Sequence, residues 1–189
     1  MDAEVRFRAL FRTAYPALIR FARHRGLNES GADDLVAGTL EIAWRRLEEV
    51  PADNPLPWLY GVARNIWRNQ LRSETRQNLL VLKLPTSEVQ AGPDISPTLD
   101  AVALRKSLGE LNEDDQEILR LVAWDGLSPS EAAQVLGCSQ VAARTRLHRA
   151  RNRLALELGL DPRSHASMRT EQKAQRRAEQ NVETEVCDD

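Results

Sequence analysis

The stretch from Leu127 to Leu154, LSPSEAAQVLGCSQVAARTRLHRARNRL, constrains the fold more than any other part of the chain. Ser128 and Glu131 are three residues apart and match a capping box at the start of a helix. Gly137 follows that short apolar segment, and glycine readily adopts the left-handed conformation that ends a helix. Ser139 comes directly afterwards as the cap of a second helix. The pattern therefore predicts two helices joined by a tight turn.

The second of these helices is predicted to be basic on one side and buried on the other. The predicted buried residues of the pair are Ala132, Ala133, Val135 and Leu136 in the first helix and Val141, Leu147, Ala150 and Leu154 in the second. The outer side carries Arg144, Arg146, Arg149, Arg151 and Arg153, with no acidic residue between Ser139 and Arg153. This is typical of a helix-turn-helix whose second helix enters the major groove of DNA. An ordinary helical hairpin with a solvated charged face is the alternative, but like charges on neighbouring turns repel.

The composition of the whole chain limits the other possibilities. Its 189 residues allow one large domain or two small ones, and a net charge of −2 requires that arginines and acids be segregated. Two isolated cysteines, Cys138 and Cys187, predict neither a disulfide framework nor a zinc site, so we expect a reducing cytoplasm as the compartment. The amino terminus is charged from Asp2 onward, and no apolar run approaches the roughly 20 residues of a membrane span. Neither a signal peptide nor membrane insertion is expected.

The amino-terminal residues 5–24 have apolar side chains at helical spacing and predict an amphipathic helix. Pro16 is expected to kink this helix or divide it in two, and Gly26 is expected to stop it. The pattern from Ser30 to Asp33 predicts the start of the next helix. The remaining faces of the first helix carry arginines, interpreted as either solubilising or functional: Arg6, Arg8, Arg12, Arg20, Arg23 and Arg25.

The next predicted helix, ADDLVAGTLEIAWRRLEE, is apolar on more than one side. Its core stripe is Val36, Leu40, Ala43 and Leu47, and its second flank contains Leu35, Thr39, Ile42 and Trp44. A helix of this kind lies at the centre of a bundle or shares one face with a partner. The sequence leaves both alternatives open.

A loop with three prolines, residues 50–57, leads into the helix WLYGVARNIWRNQLR. The predicted core stripe of that helix is Leu59, Val62, Ala63 and Ile66, and Arg64, Arg68 and Arg72 form one outward line flanked by Asn65 and Asn69. Basic and amide side chains in a row suit a phosphate backbone. The aromatic residues Trp58, Tyr60 and Trp67 are either stacking surfaces for unpaired bases or plain core residues.

Composition divides the chain into two helical units, at residues 1–76 and 98–158. Residues 77–97 include PTSEVQAGPDISPT and are predicted to be a flexible linker, while residues 159–189 are predicted to be a disordered tail. In the second unit Asn112 is expected to cap a helix that ends at Gly126 and packs over the helix-turn-helix.

No Gly-rich phosphate loop, metal-ligand cluster or nucleophile set is visible, so we expect no catalysis, cofactor or metal.

These motifs in this order closely resemble the extracytoplasmic-function (ECF) sigma factors of bacterial RNA polymerase. The resemblance runs through ADDLVAGTLEIAWRR, the proline loop, WLYGVARNIWRNQLR and LNEDDQEILRLVAWDGLSPSEAAQVLGCSQVAARTRLHRARNRL, and it covers roughly residues 5 to 157. It implies an all-α fold in which sigma domain 2 and sigma domain 4 are joined by a linker. It also implies a transcription initiation factor that binds core polymerase, recognises the minus-ten and minus-thirty-five promoter elements, and promotes DNA opening.

The resemblance implies roles for three sets of residues. The set for the β′ clamp helices of core polymerase is Asp34, Leu35, Val36, Leu40, Trp44 and Arg45. The minus-ten set is Asp53 and Asn54, which would capture a flipped base, with Trp58, Arg64, Asn65, Arg68 and Arg72. The minus-thirty-five set is Ser139, Gln140, Arg144, Thr145, Arg146, His148 and Arg149. The outer face of domain 4 would meet the β flap, and an anti-sigma factor is a further conceivable partner.

The sequence departs from the family pattern at two places. Ala37 and Gly38 stand where many relatives have glutamine and a second acid, and Val141-Ala142-Ala143 replaces a more polar run before the arginine-rich helix. The alternative function is a dimeric helix-turn-helix repressor or activator that acts without being a polymerase subunit.

Overall fold

The computed structural model describes residues 2–80, 104 and 106–160, and of residues 74–80 it gives the backbone alone. The described elements are α1 (Ala3–Arg23), α2 (Glu29–Arg45), a 3-10 turn (Leu47–Glu49), α3 (Leu56–Leu80), α4 (Glu113–Ala123), α5 (Pro129–Leu136) and α6 (Gln140–Glu157). Residues 106–109 are also helical. The predicted all-α class is confirmed, and none of the described helices has the length and apolarity to cross a membrane.

Helix α1 buries one face, which includes Leu10, Ala14, Leu18 and Phe21. Pro16 lies inside this helix with its side chain exposed, and the helix continues on both sides of it. The alternative in which Pro16 divides the segment into two helices is therefore wrong.

Helix α2 packs against both α1 and α3, which also contact each other, so the three helices form one bundle. Its predicted core stripe is confirmed, and Leu35 and Thr39 of the second flank are buried as well. The cap is Asn28, whose side chain accepts a hydrogen bond of 2.8 Å from the amide of Gly31. The predicted start at Ser30 is wrong, since asparagine already satisfies the exposed amides of the first turn.

Helix α3 is longer at both ends than the sequence predicted. It begins at Leu56, inside the proline loop, and continues through Leu80, so residues 77–80 of the predicted linker are helical. The rest of that linker, residues 81–97, lies outside the described residues. The same holds for residues 98–103 of the second unit and for the tail from residue 161.

The carboxy-terminal unit is built as the local signals predicted. The Asn112 side chain accepts a hydrogen bond of 2.9 Å from the amide of Asp115 and caps α4. At α5 both bonds of the capping box are present, and Gly137 has φ 64° and ψ 36°. The Ser139 hydroxyl accepts a hydrogen bond of 3.1 Å from the amide of Ala142 and caps α6. The helix-turn-helix is confirmed.

The buried face of α6 differs from the prediction at one position. Val141 is 72% exposed, and Ala143 is fully buried instead. Leu147 and Ala150 are buried as predicted, and Leu154 is partly buried against the core. Ala143 is four residues before Leu147 and therefore shares its face, whereas Val141 is off this stripe by helical phase.

The two units pack against each other, which the sequence did not predict. Helix α3 contacts α5, and a Cβ atom built on Gly61 would lie 4.0 Å from the Cα atom of Val135. A Cβ atom at position 61 would thus make ordinary van der Waals contact with the backbone of α5, so the two helices approach closely at this point.

Candidate nucleic-acid interface

The outer face of α6 presents most of the predicted minus-thirty-five set to solvent. The exposed members are Gln140, Arg144, Thr145, His148 and Arg149. The Ser139 hydroxyl is engaged in capping, and Arg146 is partly buried. A capped helix with an exposed row of arginine, threonine and histidine side chains offers donors for both phosphates and base edges.

The arginines of α6 have acidic neighbours that come from another helix. Arg146 lies 3.6 Å from Asp114, and Arg153 forms an ion pair with Asp115. The run contains no acidic residue of its own, but the first turn of α4 supplies two carboxylates. Within the described part of the chain, Arg144 and Arg149 pair with no carboxylate.

The predicted outward line of α3 is covered at its start and exposed at its end. Arg64 is only 8% exposed, so its prediction as an outward residue is wrong. Its guanidinium group lies 3.7 Å from Asp114 and 3.8 Å from Glu117, both in α4. Burial lowers the pKa of Arg64, and the Glu117 carboxylate opposes that shift.

The rest of that line becomes progressively more open. The Arg68 guanidinium is partly buried and lies 3.9 Å from the Glu113 carboxylate. Asn65 and Arg72 are exposed. Of the three arginines of this line, Arg72 is therefore the exposed one, whereas Arg64 and Arg68 face carboxylates.

The loop before α3 holds the two candidates for capture of a base. Asp53 and Asn54 are exposed, and the Asn54 amide donates a hydrogen bond of 2.6 Å to the Glu131 carboxylate of α5. Trp58 and Trp67 are partly buried and pack against the core. Since both rings are held by core contacts, only their remaining edges are available to other molecules.

Arg25 is the main residue that the sequence pattern placed wrongly. It was expected on the exposed side of the first helix, but its side chain is 0% exposed. Its guanidinium group donates hydrogen bonds of 2.8 Å to Glu117 and 3.1 Å to Asp125, and it lies 3.3 Å from the centre of the Phe21 ring. Glu117 and Asp125 are 92 and 100 residues away in sequence, so no local signal could have indicated these contacts.

This ionic cluster is incompletely satisfied. The buried atoms Arg25 Nε, Arg64 Nε and Glu117 Oε2 make no hydrogen bond. Each buried polar group left without a partner costs about 1–3 kcal/mol. The contact between the units is therefore specific in geometry but weaker than its number of charges suggests.

The predicted polymerase-binding set on α2 separates into core and surface residues. Leu35, Val36 and Leu40 are at most 5% exposed and pack inside the bundle, which corrects their prediction as a contact surface. The other members, Asp34, Trp44 and Arg45, are exposed. Trp44 is 48% exposed, and its ring meets the Phe7 ring edge-on at 5.0 Å.

Comparison with known proteins gives the family. Residues 10–77 match the model of Sigma-70 region 2, and residues 101–154 match that of Sigma-70, region 4. The ECF RNA polymerase sigma factor EcfG of Rhodopseudomonas palustris is 31% identical over 149 residues, which are 78% of this chain and 82% of the relative. The chain belongs to the ECF sigma factors of RNA polymerase. These proteins are transcription initiation factors.

Other relatives of this sigma factor agree in sequence and in fold. The RNA polymerase sigma factor CnrH of Cupriavidus metallidurans is 33% identical over 157 residues, covering 77% of this chain and 82% of the relative. The solved structure of the sigma factor RpoE with the anti-sigma factor NepR from Bartonella quintana is 29% identical, with a TM-score of 0.64 over 82% of this chain and 98% of that one. CnrH in complex with the cytosolic domain of CnrY is 29% identical, with a TM-score of 0.57 over 81% and 87%.

Proposed function

We propose that this sigma factor binds core RNA polymerase, recognises both promoter elements and promotes opening of the DNA between them. The observation that carries the proposal is the presence of two differently built basic helices, α3 and α6, in separate helical units. A protein that recognised DNA through one rigid surface would not need two separate helical units. The proposed site of action is the bacterial cytoplasm, where the polymerase is found.

Helix α6 is proposed to recognise the minus-thirty-five element. Its exposed residues Arg144, Thr145 and Arg149 lie on the face opposite the stripe formed by Leu147 and Ala150. That geometry lets the helix enter a major groove while α5 supports it from behind. Arginine side chains at such positions bind the N7 and O6 atoms of guanine or the phosphates beside them.

The loop before α3 and α3 itself are proposed to bind the minus-ten element. Asp53 and Asn54 would bind the edge of an unstacked base, while Arg68 and Arg72 would hold the phosphates of the melted strand. The loop is fixed at both ends because Val50 is buried and Leu56 already belongs to α3. A loop held in this way can present polar side chains without losing much conformational entropy on binding.

Binding to core polymerase is proposed for the exposed face of α2. Asp34, Trp44 and Arg45 remain available there, and a half-exposed tryptophan is typical of an interface anchor. The outer face of the carboxy-terminal unit would contact the β flap. An anti-sigma factor is also proposed as a partner, since RpoE has been solved in complex with the anti-sigma factor NepR.

Transcription with purified components tests this function. Mixing the protein with core polymerase and a promoter library should yield transcripts from a defined subset of promoters. Trp44→Ala should weaken binding to core polymerase, while Arg12→Ala, an exposed change on α1, should leave it unchanged. Failure of the native protein to bind core polymerase would overturn the proposal, and a stable dimer on symmetric half-sites without polymerase would support the repressor or activator.

A further inference from the structure

The chain leaves the 3-10 turn through Val50, the first residue of the loop that would capture a base. The Val50 side chain is buried, and its amide donates a hydrogen bond of 3.2 Å to the Leu47 carbonyl. Leu47 is buried as well, so apolar contacts hold the turn against the core. These contacts fix where the loop begins, but they do not fix the direction of the backbone, since apolar burial is not directional.

The next peptide unit has a single polar group, which is the Val50 carbonyl. Residue 51 is proline and has no N–H, so a hydrogen bond can orient the unit between Val50 and Pro51 only through this oxygen. Proline also restricts the residue before it to extended conformations, and Val50 has φ −72° and ψ 120°. A donor at the Val50 carbonyl therefore determines how the plane of this peptide unit is held.

Arg6 of α1 supplies that donor from a position 44 residues earlier in the chain. Its Nη2 atom donates a hydrogen bond of 2.7 Å to the Val50 carbonyl oxygen. The Arg6 side chain is 26% exposed, so the contact lies at the rim of the bundle and is partly shielded from water. A hydrogen bond from a charged donor is also stronger than one between neutral groups.

The ion pair between Arg6 and Glu48 is the weaker of these two contacts. The Arg6 Nη1 atom is 3.7 Å from the Glu48 carboxylate, and the Glu48 side chain is 92% exposed. Exposed pairs of this kind contribute little to stability because water and salt screen them. The hydrogen bond to the Val50 carbonyl is therefore the contact that connects α1 to the loop.

The other end of the loop is held by α3. The Pro55 carbonyl accepts a hydrogen bond of 3.0 Å from the amide of Leu59, which lies in the first turn of that helix. Residues 51–54 are exposed between the two ends, and they include Asp53 and Asn54. The entry of the loop is thus held from α1 and its exit from α3.

We propose that Arg6 is a positioning residue for recognition of the minus-ten element. By holding the Val50 carbonyl it sets the direction in which the loop leaves the bundle, and thereby the position of Asp53. Asp53 is at most about 11 Å from Val50 along the chain, so a rotation of about 10° at Val50 would displace it by up to about 2 Å. A hydrogen bond to a base tolerates only about half an ångström. This inference rests on the promoter-recognition function proposed above.

The base preference in the minus-ten element tests the proposal. A template that the native protein transcribes with core polymerase is chosen from the promoter library, and every single-base change in its minus-ten element is compared with it. Arg6→Leu retains the apolar contacts of the side-chain stem but removes the donor. The ratio of transcript between the best and the worst base at the most selective position should fall about tenfold, which is within the discrimination that one well-aligned base contact provides. A merely structural role would lower transcription from all templates by the same factor.

Three further variants separate the hydrogen bond from the charge. Arg8→Ala removes the same charge from an exposed site on α1 and should change the ratio by less than about twofold. Glu48→Gln removes the ion pair but keeps the carbonyl contact, so we expect the same small change. Arg6→Lys restores a charged N–H donor and should recover most of the ratio. An unchanged ratio in Arg6→Leu, or an equal loss in Glu48→Gln, would overturn the proposal.

Amide hydrogen exchange in the free protein tests the contact without DNA or polymerase. The amide of Val50 is protected by its bond to the Leu47 carbonyl, within the turn that Arg6 holds. Arg6→Leu should raise exchange in the peptide covering residues 47–58 about fivefold, because the turn opens more often, whereas Arg8→Ala should not. If exchange rose throughout α1 and α2 instead, Arg6 would support the whole bundle and the positioning role would be overturned.

The two experiments separate this proposal from the function on which it rests. If the native protein gave no promoter-specific transcript with core polymerase, the proposed function would fail, and the exchange measurement would still decide whether Arg6 fixes the loop. Promoter-specific transcription with a base preference that Arg6→Leu does not change would overturn the positioning role and leave the function intact.

Discussion

Helices α3 and α6 carry comparable rows of arginine, yet the two rows lie in different surroundings. On α3 Arg64 is buried and Arg68 is partly covered by carboxylates from α4. On α6 Arg144 and Arg149 are exposed. The comparison teaches that a basic stripe in a sequence predicts affinity for anions, but the anion can belong to the same chain.

The difference arises from the position of α4 between the two helices. Its first turn contains three consecutive acids, and their carboxylates reach in two directions: Asp114 contacts both Arg64 and Arg146, while Asp115 pairs with Arg153. Acids at the start of a helix also interact favourably with its dipole. The same residues therefore stabilise α4 and determine which arginines remain available.

The largest expected effect comes from Arg25→Ala. The change removes the guanidinium group that pairs with both Glu117 and Asp125 in a buried position, so we expect the free energy of unfolding to fall by about 3–5 kcal/mol. Denaturation by guanidinium, followed by tryptophan fluorescence, measures the loss. Arg12→Ala on the exposed side of α1 is the control and should change stability by less than about 0.5 kcal/mol. Equal stability of both variants would show that the units are not held together at Arg25.

A second pair of substitutions contrasts the two basic helices on DNA. With core polymerase present, Arg149→Ala should cost about 1–3 kcal/mol at the minus-thirty-five element if Arg149 contacts a base. Arg68→Ala should weaken binding evenly across promoters and give a shallower dependence on salt concentration. Titrations on several promoters at different salt concentrations distinguish the two. Sequence-blind losses of the same size from both changes would contradict the division of labour.

Gly137→Ala tests how firmly the turn fixes α6 relative to α5. At φ 64° a Cβ atom is strained, and we expect a loss of roughly 1–2 kcal/mol in the free energy of unfolding. Gly109→Ala is the matched control, because this helical glycine has no atom within 4 Å of an added Cβ and alanine favours helix. Thermal unfolding should show a lower midpoint for the first variant and an unchanged or higher one for the second.

The smallest effect concerns pH and the contact between Asn54 and Glu131. Hydrogen bonds from Ser128, together with the one from Asn54, lower the pKa of Glu131 below its ordinary value of 4.5. A lowered pKa in the folded state means that the carboxylate contributes stability above pH 4.5 and that this contribution is lost as pH falls further. Stability measured between pH 3 and 6, at about half-unit steps, should therefore differ between native protein and Glu131→Gln at the upper end and converge at the lower. Parallel curves would exclude the carboxylate as the cause.

Local signals in the sequence were sufficient for much of the fold. The cap at Asn112, the capping box from Ser128 to Glu131 and the left-handed Gly137 each depend on residues within a few positions of one another. Errors of one or two residues arose where two local signals competed. Asn28 precedes Ser30 and caps α2 first, and Val141 is larger and more apolar than Ala143 but lies at the wrong helical phase.

The covered part of the candidate site could not be predicted in the same way. The outward line on α3 has the correct spacing, but Arg64 is buried by acids of a helix that begins about fifty residues later. Arg25 could not be distinguished from the arginines of α1 in the sequence, because both carboxylates that pair with it belong to the second unit. Contacts between two units connected by a long segment leave no periodic pattern, and charge alone does not indicate which surfaces meet.

The position of Gly61 at the contact between α3 and α5 has a consequence for how the protein can evolve. Gly61 lies where α3 meets α5, an added Cβ atom there would make ordinary contact with α5 at 4.0 Å, and the residue has no role in the proposed recognition of bases or phosphates. Single-nucleotide changes of any glycine codon can introduce alanine, valine or arginine, which differ widely in the volume of the side chain. We therefore expect that substitution of Gly61 can change how readily the two units separate without changing which promoter sequence is recognised.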